Sequence, residues 1–375
     1  MNRSQLKTIL NDLEKKMVFV VGPRQVGKTW LSKRIMEHYE NSLYLNYDSY
    51  DDRRIINEQT WGPNHDCIIF DEIHKMPKWK NYIKGVYDKK QDHQRICVTG
   101  SARLDVFRNM GDALTGRFFK HRLLPFSLKE LHSIESSISL NDLLEKGGFP
   151  EPLLSQNIDD AKRWRQDYLD GLIREDVLEF QNISQMNTMN LLVKLCQQRV
   201  GSPLSYASLA RDLNTSIVTV KKYLDILEAL FIIFRVSPYS RNIARSILKE
   251  SKLYFYDWAM VNADDSIKYE NYLACSLLKH CWAIRDQKGE DVGLHYLRTK
   301  DNKEVDFCIT KNQKLDVLVE AKYSDTNTSP TLAFFSKKYN IPGYQVIYNL
   351  GSKSPQKKEN IHIISAKEYT KKLYA

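Results

Sequence analysis

Apolar residues in the first third of the chain fall into short runs separated by longer segments of helical spacing. The runs are rich in β-branched and aromatic residues and indicate strands over 18–21, 42–48, 66–73 and 95–101. Between them the apolar positions recur at helical intervals, as in the segment 3–15 and in Trp30, Leu31, Ile35 and Met36. This alternation predicts an α/β fold, with a parallel sheet and helices on both of its faces.

The first strand leads directly into a glycine-rich turn, Gly22-Pro-Arg-Gln-Val-Gly-Lys-Thr29, which has the spacing of a phosphate-binding P-loop. The glycines let the loop curl so that backbone N–H groups point at a phosphate, and the following helix adds its positive dipole end. We expect Lys28 to contact the β- and γ-phosphates and Thr29 to bind Mg²⁺. The alternative is a plain strand-to-helix turn with an exposed lysine. The predicted contacts with ATP are Gly22, Pro23, Arg24, Gln25, Val26, Gly27, Lys28, Thr29 and Trp30.

Acidic and hydroxyl residues end the next two buried runs. The third strand ends in Asp71-Glu72, where Asp71 is predicted to hold Mg²⁺ and Glu72 to polarise the water that attacks the γ-phosphate. The fourth strand ends near Thr99 and Ser101, and we take Ser101 as a candidate nucleotide contact. The alternatives are a solvated acidic turn and small polar residues that merely end a strand.

Three further segments carry a family resemblance: Gly100-Ser-Ala-Arg103, Ala113-Leu-Thr-Gly-Arg-Phe118 and Leu124-Pro-Phe-Ser-Leu-Lys-Glu-Leu131. With the P-loop, they resemble prokaryotic AAA-type ATPases that carry a C-terminal domain of unknown function with a restriction-endonuclease-like core. The resemblance implies that Arg117 is an arginine finger, acting in its own subunit or across an interface, and that Arg103 is a second cation near the nucleotide. A cation at the γ-phosphate would offset charge that develops in the transition state. The alternative is that both arginines are surface residues.

The middle of the chain changes to shorter helices and a hairpin. After Gly147-Gly-Phe-Pro-Glu-Pro152 we predict a long connecting helix over 161–180, helices over 189–199, 205–213 and 218–230, and paired strands over 231–238 and 252–257. This is the layout of a helix-turn-helix with a wing. The surface expected to face DNA comprises Thr215, Ser216, Thr219, Lys222 and Tyr223 on the third helix and Arg241, Arg245, Lys249 and Lys252 on the wing. A packing module between domains is the alternative.

The last third predicts a helix over 262–283, strands over 293–298, 304–309 and 315–322, a helix over 330–339 and a strand over 344–348. This order resembles the core of the PD-(D/E)xK nucleases. Residues two apart on a strand share a face, so Glu320 and Lys322 project together, and Asp306 on the neighbouring strand can converge with Glu320 on a divalent cation. Glu270 is expected to hold a metal-bound water and Lys322 to orient the attacking water. Carboxylate–lysine pairing on an exposed sheet face would look much the same.

Composition limits the partners and the compartment. The chain has 375 residues, 42% of them hydrophobic and 27% charged, and a net charge of +10, which favours a polyanionic partner. The longest apolar stretch, 229–234, is too short to span a bilayer, and the first residues lack a secretory signal. The six cysteines show no CxxC pair. A cytoplasmic protein without a membrane partner is therefore expected.

The sequence thus predicts an AAA-type ATPase domain over 1–135, a helical connector over 136–186, a winged-helix domain over 187–258 and a nuclease-like domain over 259–375. The first hypothesis is an ATP-hydrolysing protein that acts on DNA or RNA through a metal-dependent nuclease-like domain. The second is a nucleotide-dependent switch or adaptor that binds DNA or a protein partner and cuts nothing. A homo-oligomer is left open.

Overall fold

The structure of the protein is a computed structural model that describes residues 3–101, 114–133, 137–174, 184–240, 250–299, 301, 303–351 and 355–374. Arg103, Arg241, Arg245 and Lys249 lie outside the described residues. The chain divides into two compact units, Met1–Leu124 and Pro125–Ala375. No helix among the described residues has the length and hydropathy needed to cross a membrane.

Unit 1 is built on a parallel sheet. Its strands are β1 Met17–Val21, β2 Ser42–Asn46, β3 Cys67–Asp71, β4 Arg95–Gly100 and β5 Phe118–Arg122, in the order β2-β3-β4-β1-β5. All adjacent pairs are parallel, which confirms the α/β prediction for this part of the chain. Every residue of β1 and β3 is buried, as the continuous apolar runs require of strands covered on both faces.

The helices of unit 1 cover the two faces of this sheet. They are α1 Leu6–Leu13, α2 Lys28–Met36, α3 Tyr50–Glu58 and α4 Trp79–Lys89, with a 3₁₀ turn at Ile73–Lys75. Met17, Phe19 and Val21 of β1 share one core with Ile56 of α3 and Ile83 of α4. Because side chains alternate along a strand, the equally buried Val18 and Val20 point to the opposite face.

Unit 2 begins with helices and one hairpin. The helices are α5 Leu128–Ser133, α6 Leu140–Lys146, α7 Pro150–Leu154, α8 Ile158–Leu172, α9 Ser184–Gln197, α10 Tyr206–Asp212 and α11 Ile217–Ala229, and the hairpin joins β6 Ile233–Val236 to β7 Lys252–Phe255. Ser205 and Ser216 cap α10 and α11 by accepting hydrogen bonds from the backbone N–H groups of Ser208 and Thr219.

Two residues assigned to the DNA-facing surface of unit 2 are buried instead. Tyr223 retains 4% exposure because it packs with the apolar face of α11, and Lys252 on β7 retains 1%. Both assignments were wrong, because the helical spacing around Tyr223 does not show which side of α11 faces the core, and Lys252 lies on the buried strand β7. Ser216 and Lys222 are exposed, and Thr215 and Thr219 are half-buried.

A mixed sheet forms the rest of unit 2. It follows the long helix α12 Asp265–Lys288 and consists of β8 Val292–Arg298, β9 Glu304–Lys311, β10 Lys314–Lys322, β11 Gly343–Ile347, β12 Gln356–Lys358 and β13 Ile361–Ser365, with α13 Pro330–Tyr339 and α14 Ala366–Lys372. The strand order is β12-β13-β11-β10-β9-β8. The strands β12 and β13 and the helix α14 were not predicted from the sequence.

Candidate nucleotide site and C-terminal carboxylate cluster

The P-loop of unit 1 requires glycine at both ends. A Cβ on Gly22 would lie 2.1 Å from the carbonyl oxygen of Leu123, and Gly27 has a φ of 99°. Gln25 between them also adopts a positive φ, 57°. The helix α2 begins at Lys28, so the N–H groups of its first turn have no partner within the helix. Together these features form an anion-binding helix terminus at the end of β1.

Lys28 lies inside this loop. Its ammonium donates hydrogen bonds to the carbonyl oxygens of Gly22, at 3.1 Å, and Pro23, at 2.6 Å. Burial lowers the pKa of Lys28 to about 8, although the nearby charges of Glu72 and Asp71 act in the opposite direction. The Lys28 ammonium is therefore already desolvated, so binding a phosphate would not require it to lose its hydration.

Asp71 at the end of β3 is surrounded by uncharged donors. Its carboxylate accepts hydrogen bonds from the Thr99 hydroxyl at 2.5 Å, from the Tyr44 hydroxyl and from the Thr29 hydroxyl at 3.4 Å. The backbone N–H of Glu72 donates to Oδ1 at 3.1 Å. The hydrogen-bond donors to Asp71 are uncharged, so its carboxylate and the Thr29 hydroxyl are oxygen ligands of the kind that Mg²⁺ prefers. Thr29 and Asp71 therefore fit a magnesium site.

Glu72 follows Asp71 with a positive φ of 53°, which turns its side chain away from the strand direction. Burial raises the pKa of Glu72. The carboxylate lies 3.5 Å from Nε2 of His74, and that nitrogen lies 3.4 Å from the Ser101 hydroxyl. Ser101 is thus connected to Glu72 through His74, whereas Thr99 contacts Asp71 directly. Trp30 is half-buried, with the Arg34 guanidinium 5.5 Å from its ring centre.

Arg3 contacts the P-loop through backbone carbonyl groups, a role that was not predicted from the sequence. Its side chain is 3% exposed and donates hydrogen bonds to the carbonyl oxygens of Val26 in the P-loop and, at 3.1 Å, Leu124. The C=O and N–H of one peptide point in opposite directions, so a donor on the Val26 carbonyl turns the Gly27 N–H away from Arg3. Nothing in the sequence around Arg3 indicates that it contacts the P-loop, because Val26 and Leu124 are distant from it in the chain.

Arg117 is not brought to the P-loop of its own chain. It precedes β5, and its carbonyl oxygen accepts a hydrogen bond from the N–H of Met17, at the start of β1. The P-loop follows the other end of β1, about 16 Å away for a strand of this length. The guanidinium instead pairs with Asp88 at 2.9 Å on the surface. Any contact with a γ-phosphate would have to be made in a neighbouring subunit.

The C-terminal cluster is centred on Lys252 of β7, which the sequence analysis assigned to the wing. Its ammonium lies 2.7 Å from Glu304, 3.6 Å from Glu270 and 3.7 Å from Asp306. Burial alone would lower the pKa of Lys252, but these carboxylates together raise it. Burial and the nearby Asp306 raise the pKa of Glu270 to about 7, and the Tyr254 hydroxyl donates to its Oε1 at 2.7 Å.

The remaining predicted residues form a second pair on the same sheet. Lys322 contacts Glu320 at 2.9 Å, so the two do share a face of β10. Asp306 on β9 accepts a hydrogen bond from the Ala321 N–H at 3.0 Å, which places it beside them. The other oxygen of Glu320, Oε2, is buried and has no hydrogen-bond partner in the described part of the chain.

These residues are paired with lysines rather than gathered around one point where a divalent metal would lie. Glu270 and Asp306 are directed at the Lys252 ammonium, while Glu320 is paired with Lys322. Among the described residues, no group of three or more carboxylate, histidine or cysteine side chains is arranged to hold a metal ion. The predicted ligand set stays a prediction, and the arrangement described here is that of a charge-paired network.

Comparisons with known proteins match three successive segments of the chain. Residues 14–132 match the AAA domain, residues 137–270 match a domain of unknown function (DUF8612), and residues 267–369 match another domain of unknown function (DUF4143). The first match contains the P-loop and Asp71-Glu72, and it supports an AAA-type P-loop ATPase. The other two assign no activity.

Sequence similarity to other proteins covers most of the chain. An uncharacterized protein of Methanocaldococcus jannaschii is 26% identical over 88% of this chain and 81% of its own length. One of Haemophilus influenzae is 23% identical over 83% of this chain and 84% of its own length. Among solved structures, a Walker-type ATPase of Pyrococcus abyssi has 16% identity and a TM-score of 0.46, covering 71% of this chain and 95% of its own.

Proposed function

We propose that this protein hydrolyses ATP with Mg²⁺ in unit 1 and uses the nucleotide state to control unit 2 as a nucleic-acid-binding switch or adaptor. The observation that carries the ATPase is the meeting of Thr29 and Asp71 at 3.4 Å beside the buried Lys28. This places the Lys28 ammonium, the N-terminus of α2 and the Thr29–Asp71 pair close together, as a triphosphate site requires.

Each residue has a distinct role in this proposal. Lys28 and the N–H groups of the loop bind the phosphate oxygens, and Thr29 and Asp71 hold Mg²⁺, which offsets charge on those oxygens. Glu72 orients water and accepts its proton, a task that suits a carboxylate whose pKa is raised by burial. Arg3 fixes the direction of one peptide in the loop.

Lys28→Ala tests the ATPase. Phosphate release should fall at least about 100-fold because the charge on the transferring phosphate loses its ammonium. Lys33→Ala is the matched control, since Lys33 lies on the same helix and is exposed. Retained turnover in Lys28→Ala, with the wild-type melting temperature, would refute the site.

The nucleic-acid partner is supported by the exposed start of α11. Ser216 and Lys222 are exposed there, with Lys221 beside them, and the chain carries a net charge of +10. Lys222→Ala removes one phosphate contact, so it should weaken DNA binding equally for all sequences. The slope of log K against log salt concentration should fall in magnitude by about one. Fluorescence anisotropy with labelled duplexes measures this, and Lys337→Ala, on the distant α13, is the control. Equal affinity and salt dependence in wild type and Lys222→Ala would remove α11 from the proposal.

Metal-dependent cleavage of DNA or RNA is the second candidate. The observation that favours it is that Asp306 lies beside the Glu320–Lys322 pair, as the sequence resemblance implies. Plasmid and single-stranded DNA should be incubated with Mg²⁺ or Mn²⁺, with and without ATP. Nicking that is lost in Lys322→Ala would establish the nuclease, and no nicking under any condition would favour the adaptor.

A further inference from the structure

The cluster around Lys252 differs from the predicted metal site in one respect: it already contains a cation. The Lys252 side chain is 2% exposed, and its ammonium lies within 4 Å of Glu270, Glu304 and Asp306. A buried ammonium is stable only where carboxylates surround it, and three half-buried carboxylates this close together are stabilised by a cation in return. The lysine and the carboxylates therefore satisfy each other.

The backbone fixes Lys252 in this position. It begins β7 and lies opposite Val236 on the hairpin partner β6, and it also forms an isolated bridge with Pro203. The ammonium is 5.6 Å from the centre of the Tyr296 ring, a distance that allows a cation–π contact. The backbone of Lys252 is thus held from two sides, and its ammonium is held by the carboxylates and the Tyr296 ring.

The carboxylate oxygens are also in use. Tyr254 donates to the same Glu270 oxygen that faces Lys252, and Arg298 lies 3.4 Å from the second oxygen of Glu304. Asp306 directs one oxygen at Lys252 and the other at the N–H of Ala321. A divalent cation would need several of these oxygens within about 2.0–2.6 Å of itself, close to an ammonium that repels it.

We infer that the Lys252 ammonium is the resident cation of this cluster, in the place where a metal-dependent enzyme would hold a divalent ion. The cluster then binds no Mg²⁺ or Mn²⁺ in the native protein. The inference does not rest on ATP hydrolysis, and it holds or fails whether or not unit 1 turns over ATP.

Manganese binding to the full-length protein tests this, measured without nucleotide by the electron paramagnetic resonance signal of free Mn²⁺. All variants carry Asp71→Asn, so that the unit 1 site does not contribute. The Asp71→Asn protein and the Asp71→Asn/Asp306→Asn protein should therefore bind the same amount of Mn²⁺. Asp306 faces both Lys252 and the Glu320 region, so this substitution reports on either arrangement. A Mn²⁺ site lost in Asp306→Asn would overturn the inference.

Lys252→Met supplies the second arm, because methionine has a similar length and no charge. This variant should gain one Mn²⁺ site per chain, which Asp306→Asn abolishes again, and Mn²⁺ should raise its melting temperature. Lys279→Met is the matched control: Lys279 is also buried and pairs with Glu130, which is not part of the Lys252 cluster, so its loss should create no Mn²⁺ site that Asp306→Asn removes.

A folded Lys252→Met protein that binds no Mn²⁺ would contradict the inference, since its carboxylates would then not need a cation. If Lys252→Met folds only when Mn²⁺ is present, the metal has replaced the ammonium and the inference holds. If it folds under neither condition, Lys252→Arg should fold and bind no Mn²⁺, and Mn²⁺ binding by that variant would overturn the inference.

Discussion

Unit 1 and unit 2 each contain carboxylates next to a buried lysine, with opposite consequences. In unit 1, Lys28 donates to carbonyl oxygens of its own loop, and Asp71 is held by hydroxyl groups and one amide. In unit 2, Lys252 lies directly against Glu270, Glu304 and Asp306. Hydroxyl donors orient a carboxylate and leave its charge available, whereas an ammonium neutralises it. The residue types are the same, so the identity of the partner decides whether a cluster can bind a metal.

The largest expected difference is between Glu72 and Glu270, two carboxylates whose pKa values burial raises. Glu72→Gln should lower kcat for ATP about 100- to 10,000-fold with KM nearly unchanged, because it removes the proton acceptor and retains the shape. Glu270→Gln should leave kcat within about 2-fold, since it belongs to a structural network. Steady-state phosphate release measures kcat for both variants. An equal loss of kcat in Glu72→Gln and Glu270→Gln would contradict the different roles given to the two residues.

The aspartates form the next pair. Asp71→Asn should lower turnover at least about 100-fold at low Mg²⁺ because the oxygen ligand loses its charge. Asp306→Asn should leave the Mg²⁺ dependence of turnover unchanged and reduce the free energy of unfolding by about 1–3 kcal/mol, the cost of disturbing a buried charged partner. Magnesium titrations and urea denaturation separate the two effects. A shifted Mg²⁺ midpoint in Asp306→Asn would contradict the assignment.

A smaller effect is expected outside the carboxylates. Arg3→Ala should weaken ATP binding about 10-fold, the worth of one charge-assisted hydrogen bond to the Val26 carbonyl. Arg3→Lys should restore part of this affinity, since an ammonium can still donate to that oxygen. Titration with a fluorescent ATP analogue measures it, with the exposed Lys7→Ala on α1 as control. Unchanged affinity in Arg3→Ala would limit Arg3 to stabilising the fold.

The smallest effect is expected for Arg117→Ala in dilute protein. Its ion pair with Asp88 is on the surface, and such pairs contribute about 0–1 kcal/mol. Turnover per chain should therefore be unchanged at low concentration. If wild-type turnover per chain rises with concentration and that of Arg117→Ala does not, Arg117 acts across a subunit interface.

Much of unit 1 could be predicted from local sequence. The buried strands β1 and β3 appear as continuous apolar runs, and the spacing of Gly22, Gly27 and Lys28 specifies the loop without knowledge of any distant residue. The order of β3 and β4 relative to β1 then brings Asp71 and Thr99 together. In unit 2, β13 was not predicted, because it has only five residues and its buried positions, Ile361, Ile363 and Ile364, follow neither a strict two-residue period nor a helical one.

The sequence by itself determined the elements, the P-loop and which residues carry charge. Only the tertiary structure decided that Lys252 faces Glu270, Glu304 and Asp306, that Tyr223 points into the core, and that Arg117 lies at the far end of the sheet. The physical reason is that a loop's backbone conformation depends on neighbouring residues, whereas the counter-ion of a buried charge is chosen by strand register and packing between segments far apart in the chain.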